Sequence, residues 1–257
     1  ERGSNMGRET FLVPLTWERE PFEWKEIKHL WPVVSPETGR VEILNNVVFN
    51  NTIQNNDRSF IDNFETESLH LNWNFRRYPL ENIYQIKKEE SRLNLLCHPN
   101  KIKERGRAAL LGFKQTESDF EYLTQMYFYP NSSDSEAGIS LFQKDDNYIN
   151  LTLIKQLGKH FLQAYVVKKG EILTSVKKEL KQYKGNIKFK VIAEKNLYKL
   201  YYSTKGMHFN LFTTFEGSLL KSNGYTGAHL GLYATGNGNN NQDFASFDYV
   251  NYLIKKK

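Results

Sequence analysis

From Phe120 onward, apolar and polar residues alternate with a period of two rather than 3.6. Phe120-Glu121-Tyr122-Leu123-Thr124-Gln125-Met126-Tyr127-Phe128-Tyr129 is followed by Ile139–Phe142 and Tyr148–Leu153. Turn signals separate them, Pro130-Asn131-Ser132-Ser133 and Lys144-Asp145-Asp146-Asn147. Further segments of this kind run over His160–Val167, Ile187–Ala193, Leu197–Ser203, Leu230–Ala234 and Phe244–Leu253. Many short strands at a spacing of roughly ten residues predict an antiparallel sandwich or barrel. Helical periodicity is almost absent. Thr174–Tyr183 has some helical character but is short and Lys-rich, and it reads as strand or loop.

The upstream part is organised differently. Two short apolar segments, Phe11–Trp17 and Trp31–Val34, flank a polar insertion rich in Glu and Lys. An Asn-rich stretch, Asn45–Asp57, then precedes the regular pattern that starts at Phe60. These changes divide the chain near residue 58, into 1–57 and 58–257. No period of 20 to 50 residues repeats, so a complete propeller is not expected.

Composition supports a packed β protein. Hydrophobic residues make up 39% and aromatics 14%, with 15 Tyr and 17 Phe, a bias that suits strands. The net charge of +6 arises from 35 basic and 29 acidic residues. The lysines are dispersed (Lys168, Lys169, Lys177, Lys178, Lys181, Lys184), with a tail at Lys255–Lys257. A nucleic-acid binder would gather that excess on one face, so no nucleic-acid partner is expected. No run approaches the ~18 apolar residues of a membrane helix, and no membrane partner is expected. Cys97 is the one cysteine, which excludes an internal disulfide and leaves secreted and cytoplasmic locations both open. Asn50-Asn51-Thr52, Asn131-Ser132-Ser133 and Asn150-Leu151-Thr152 are sequons, meaningful only in a eukaryotic secreted chain. No signal peptide is visible, and the start at Glu1 without Met leaves room for a leader upstream.

Two blocks carry a family resemblance. Met6-Gly7-Arg8-Glu9-Thr10-Phe11-Leu12-Val13-Pro14-Leu15-Thr16-Trp17, followed by Trp31-Pro32-Val33-Val34, resembles the close of the five-bladed β-propeller of family-43 glycoside hydrolases. The insertion Glu18–Leu30 departs from that pattern. Phe60-Ile61-Asp62-Asn63-Phe64, Trp73 and Arg76-Arg77-Tyr78-Pro79 resemble the opening of that family's C-terminal sandwich. Ala109–Gln115, Tyr198–Ser203, Gly231–Gly238 and Ala245–Tyr249 continue the match. The resemblance implies an antiparallel two-sheet jelly roll, concanavalin- or laminin-G-like, preceded by a remnant of the propeller.

It also implies a role. The expected function is that of an accessory module of a β-xylosidase or α-L-arabinofuranosidase acting on xylan- or arabinan-type pentosides. The implied partners are the catalytic propeller and a pentose-containing oligosaccharide or polysaccharide. Inverting hydrolysis needs two carboxyl groups roughly 6.5–9.5 Å apart. In the family these lie on earlier blades, so no catalytic residue is expected here and the chain is expected to be inactive alone. The alternative is a free-standing lectin-like sandwich that binds carbohydrate.

Candidate site residues follow from the same resemblance. Arg8 would hydrogen-bond the sugar in the propeller pocket, a task suited to a guanidinium fork. A sandwich loop near Asn100–Arg107 would wall that pocket, with Arg105 and Arg107 reaching a sugar or an acidic rim. Asp62 and Asp248 would contribute to a structural calcium site, since calcium takes 6–8 oxygen ligands; the alternative for both is turn capping. The six histidines show no metal-ligand spacing. Gly236-Asn237-Gly238 reads as a flexible turn. Phe120, Tyr122, Tyr127, Phe128 and Tyr129 read as mostly core. An exposed apolar patch is expected around Phe11, Trp17, Trp24 and Trp31.

Overall fold

The computed structural model describes residues 12–19, 30–42, 58–79, 82–194, 196–221 and 226–255. Their backbone falls into two compact units divided at Asn56/Asp57. The smaller contains a hairpin of β1 (Leu15–Arg19) and β2 (Leu30–Val34). Trp17 lies opposite Pro32, and Trp31 opposite Glu18. Cross-strand partners share a face, so Leu15, Trp17, Pro32 and Val34 lie on one side and Trp31 on the other. Both tryptophans are exposed, at 61% and 55%. The expected patch is therefore split between two faces at its two described members, while Phe11 and Trp24 lie outside the described residues.

The larger unit begins with β3 (Phe60–Asp62), β4 (Asn74–Phe75), β5 (Tyr84–Lys87), β6 (Arg92–Leu96) and β7 (Ala109–Lys114). It continues with β8 (Phe120–Tyr127), β9 (Glu136–Lys144), β10 (Asn147–Gln156), β11 (Lys159–Lys168) and β12 (Glu171–Glu179). The last strands are β13 (Asn186–Glu194), β14 (Leu197–Ser203), β15 (Asn210–Glu216), β16 (His229–Thr235) and β17 (Phe244–Ile254). One sheet has seven strands in the order β12-β11-β10-β9-β16-β7-β4. The other has eight, in the order β15-β14-β13-β8-β17-β6-β5, with β3 also pairing with β17. All pairings are antiparallel. The two final strands insert between early ones, β16 between β9 and β7 and β17 between β8 and β6, as expected of a jelly roll.

The alternation explains the packing. Ile187, Phe189, Val191 and Ala193 of β13 are buried, and Leu162, Ala164 and Val166 of β11 are buried in the same core. Sheets packed face to face leave about 10 Å for such side chains to interdigitate. Phe120, Tyr122 and Phe128 lie in this core as expected. Tyr129 does not: it is 60% exposed and its ring stacks at 6.4 Å on Tyr183. Thr174–Tyr183 overlaps β12, an exposed edge strand, and that position accounts for its many lysines. Cys97 is buried and free, and burial pushes its thiol up to about 12. Asn150 is also fully buried, so its sequon is closed to glycosylation in the folded chain.

Candidate functional site

The outer face of the seven-stranded sheet departs from the simple pattern of core inside and charge outside. Register places Tyr165, Asn150, Ser140, Gly231, Gly112 and Asn74 in one row across six strands. Gln163, Thr152, Gly138, Tyr233 and Leu110 form the next row. From β11 to β7 these outward positions carry glycines, neutral polar groups, tyrosines and a leucine, and the first lysine of the row, Lys177, stands on the edge strand β12 opposite Gln163. Asn150, Ser140 and Thr152 are fully buried although they face away from the core.

One reason is a second apolar cluster. Ile102 and Ala108, from the loop between β6 and β7, pack with Leu110, Phe142, Tyr148, Val167 and Tyr233 on this outer face. Clefts of about 210 Å³ and 320 Å³ are lined in part by these same residues. Asn74, Arg76, Phe142 and His229 line the smaller. Lys101, Glu136, Tyr148, Gln163, Tyr165 and Tyr233 line the larger.

Glu136 is the centre of the larger cleft. Its carboxylate is 5% exposed, and no cation pairs with it among the described residues. Neutral donors hold it instead: Thr152 Oγ1 at 2.8 Å and the Tyr165 hydroxyl at 2.9 Å reach Oε1. Asn237 Nδ2 reaches Oε2 at 3.3 Å. Asn150 Nδ2 donates to the Tyr165 oxygen at 2.8 Å, and Gln163 Nε2 to Thr152 Oγ1 at 3.3 Å. Burial, and then the charge of Glu136, push the Tyr148, Tyr165 and Tyr233 phenols above their ordinary value. The phenols therefore stay protonated, and Tyr165 acts as donor to Glu136. The turn at Asn237 and Gly238 has the positive φ values, 52° and 97°, that such a loop requires. Asn237 also donates to the Asp134 carbonyl at 2.8 Å, which pins the turn that the sequence suggests is flexible.

The loop expected to wall a pocket, Asn100–Arg107, docks on this face through Ile102. Arg105 is exposed in a left-handed conformation, φ 51°. Arg107 Nε donates to the Tyr78 carbonyl at 3.0 Å, so this arginine ties two loops together. Arg77 Nη1 donates to the Gly106 carbonyl at 3.3 Å, and Arg77 Nη2 pairs with Asp145 Oδ2 at 2.7 Å. Arg76 Nε pairs with Asp145 Oδ1 at 2.9 Å. Burial raises the Asp145 pKa, but hydrogen bonds from Arg77 and Arg76 outweigh it and hold the carboxyl below its ordinary 3.8.

The other expected residues are scattered. Asp62 accepts from the Phe64 amide at 2.8 Å and from Trp73 Nε1 at 2.7 Å, which fits turn capping and fixes the indole. Asp248 lies in β17 where its register against β8 shifts. Among the described residues no three His, Cys, Asp or Glu side chains converge as a metal centre. Calcium at Asp62 and Asp248 thus rests on the resemblance alone. Arg8 lies outside the described residues.

Residues 61–253 match the family model of the beta xylosidase C-terminal concanavalin A-like domain. The chain belongs to this family. Over 254 residues it is 24% identical to the non-reducing end alpha-L-arabinofuranosidase BoGH43B of Bacteroides ovatus, covering 96% of this chain and 45% of that protein. It is 26% identical to a xylosidase/arabinosidase of Butyrivibrio fibrisolvens, covering 95% of this chain and 46% of that one. The chain thus spans about half the length of the curated relatives it matches. Among solved structures, Bacteroides ovatus xyloglucan PUL GH43B superposes with a TM-score of 0.79 at 23% identity, over 97% of this chain and 48% of that one. The GH43 BlXynB protein of Bacillus licheniformis superposes at 0.77 with 21% identity, over 98% and 48%. These superpositions agree on the concanavalin A-like fold.

Within this domain the sequence reading missed the Glu136 cleft. Part of its signal was available: in the middle of β9, β10 and β11 the outward positions Gly138, Ser140, Asn150, Thr152, Gln163 and Tyr165 are glycine or neutral polar residues, with Glu136 beside them, while the outward Lys159 sits at a strand end.

Proposed function

We propose that this chain serves as the accessory C-terminal sandwich of a glycoside hydrolase acting on xylan- or arabinan-type pentosides. It packs on the catalytic five-bladed propeller and helps wall that domain's pocket. The observation that carries the reading is the family match over residues 61–253, together with relatives described as an arabinofuranosidase and a xylosidase/arabinosidase that align along nearly the whole chain. The loop Asn100–Arg107 supports the pocket role. Arg107 and Gly106 anchor it through Tyr78 and Arg77, while Arg105 stays free to face a partner. The inverting chemistry belongs to carboxylates of the propeller, and Arg8 in that domain's closing segment would contact the sugar there.

The decisive experiment is an assay of the chain alone with p-nitrophenyl β-xyloside and p-nitrophenyl α-L-arabinofuranoside. No turnover above the blank is expected. Turnover well above it would overturn the accessory reading. A second reading, an independent carbohydrate-binding sandwich, is favoured by the Glu136 cleft; retardation of the chain in arabinoxylan gels separates it from a purely structural module.

A further inference from the structure

Burying a carboxylate without a cation is costly unless hydrogen bonds replace its hydration. Glu136 shows this problem half solved. Its Oε1 accepts two short bonds, whereas Oε2 has only the 3.3 Å contact from Asn237. An ionised carboxylate has about four acceptor sites, so Oε2 is undersupplied with donors. The proton chain has a direction that adds to this. Gln163 uses its amide nitrogen toward Thr152, which leaves its amide oxygen as a further acceptor. Asn150 Oδ1 and Ser140 Oγ are also buried without partners, but neither residue lines the cleft. Among the lining groups, Glu136 Oε2 and Gln163 Oε1 are therefore the acceptors that call for hydroxyl donors.

Charge and shape narrow the occupant. An anion would meet Glu136, and a cation would meet Lys101 and Lys103 on the rim; a neutral polyol meets neither penalty. Tyr165, half-buried at the cleft, offers an aromatic surface suited to the C–H face of a sugar ring, and the buried Tyr148 supports it edge-on at 6.3 Å between centroids. The volume of about 320 Å³ lies at the small end of the ~300–1,000 Å³ range of ligand pockets.

We propose that the cleft over Glu136, on the outer face of the seven-stranded sheet, binds a short segment of neutral pentose-containing oligosaccharide, whose hydroxyls donate to Glu136 Oε2 and Gln163 Oε1. The choice of pentose rests on the proposed function; the polyol class rests on the cleft itself. The site holds polysaccharide beside the enzyme and performs no chemistry.

Titration calorimetry of the whole chain tests this with xylohexaose, arabinohexaose, cellohexaose and calcium chloride as separate titrants. A pentose oligomer is expected to bind in the millimolar range. Glu136→Gln and Gln163→Ala should each weaken it about tenfold, the effect of losing one good hydrogen bond to a charged or well-placed acceptor. Gln163 is half-exposed and gives up one 3.3 Å bond to Thr152 in Gln163→Ala, so an unchanged melting temperature keeps the test valid if Glu136→Gln unfolds. No heat with any sugar, or equal affinity in a folded variant, overturns the proposal. Calcium binding that Glu136→Gln abolishes also overturns it, since the cleft is then a cation site. Tighter binding of cellohexaose overturns the pentose assignment. None of these outcomes depends on turnover by the isolated chain, which tests the accessory reading separately.

Discussion

The two sheets share one core but have opposite outer faces. On the eight-stranded sheet, the outward positions of β13 are Lys188, Lys190, Ile192 and Glu194, all half-exposed. Lys190 Nζ rests 4.3 Å from the Phe209 ring centre, and Glu194 pairs with Lys199 at 2.9 Å. On the seven-stranded sheet the middle of the outer face holds glycine, buried amides and hydroxyls, tyrosines and a buried carboxylate, with lysines such as Lys114, Lys159 and Lys177 at its margins. The first face meets water with half-exposed charges that solvent and exposed partners satisfy. The second buries polar groups whose cost is recovered only by specific bonds. That contrast marks the second face as the one shaped for contact.

The comparison can be broken most strongly at Tyr233, which is 2% exposed in the outer cluster. If that cluster is a true second core, Tyr233→Ala should cost about 3–5 kcal/mol in urea denaturation, as for other buried aromatics. A loss below about 1 kcal/mol would show the face to be merely decorated. Gly138→Ala comes next. An added Cβ would stand 2.2 Å from the Leu151 carbonyl and 2.7 Å from Thr152 Cα, both backbone atoms, so the strand pair must shift. A cost of about 2–3 kcal/mol is expected.

Asp145→Asn probes the clamp on the Asn100–Arg107 loop. Its arginine partners are about one-third exposed, and solvent screening limits the loss to about 1 kcal/mol. The pH dependence gives the sharper readout. Because the folded pKa lies below the ordinary 3.8, this stabilisation is complete above that value and is lost as pH falls through the folded value. The difference in urea midpoint between wild type and Asp145→Asn should be constant from pH 5 to 7 and shrink below 3.8. On the other sheet, Lys190→Ala should cost about 0.5 kcal/mol, the value of an exposed cation–π contact. A larger loss there than at Tyr233 would invert the comparison.

The strand content and the antiparallel sandwich were legible in the chain because two-residue alternation reports directly on one buried face; the family was legible only through the resemblance of blocks such as Met6–Trp17 and Gly231–Gly238. Phe120, Tyr122 and Phe128 could be placed in the core on that ground alone. β12 was harder, since an edge strand exposed on both sides carries no alternation. The resemblance singled out the loop Asn100–Arg107, but its anchoring through Ile102, Arg77 and Arg107 was not visible in it.

By itself the sequence determined which side of the alternating strands faces the core. Only the tertiary structure decided what happens on the other side. Glu136 and Gln163, 27 positions apart in sequence, meet through Thr152 because cross-strand register joins distant segments at about 5 Å. Whether an outward residue then meets water, a loop or a ligand depends on which segment folds over it. Local pattern contains no term for that.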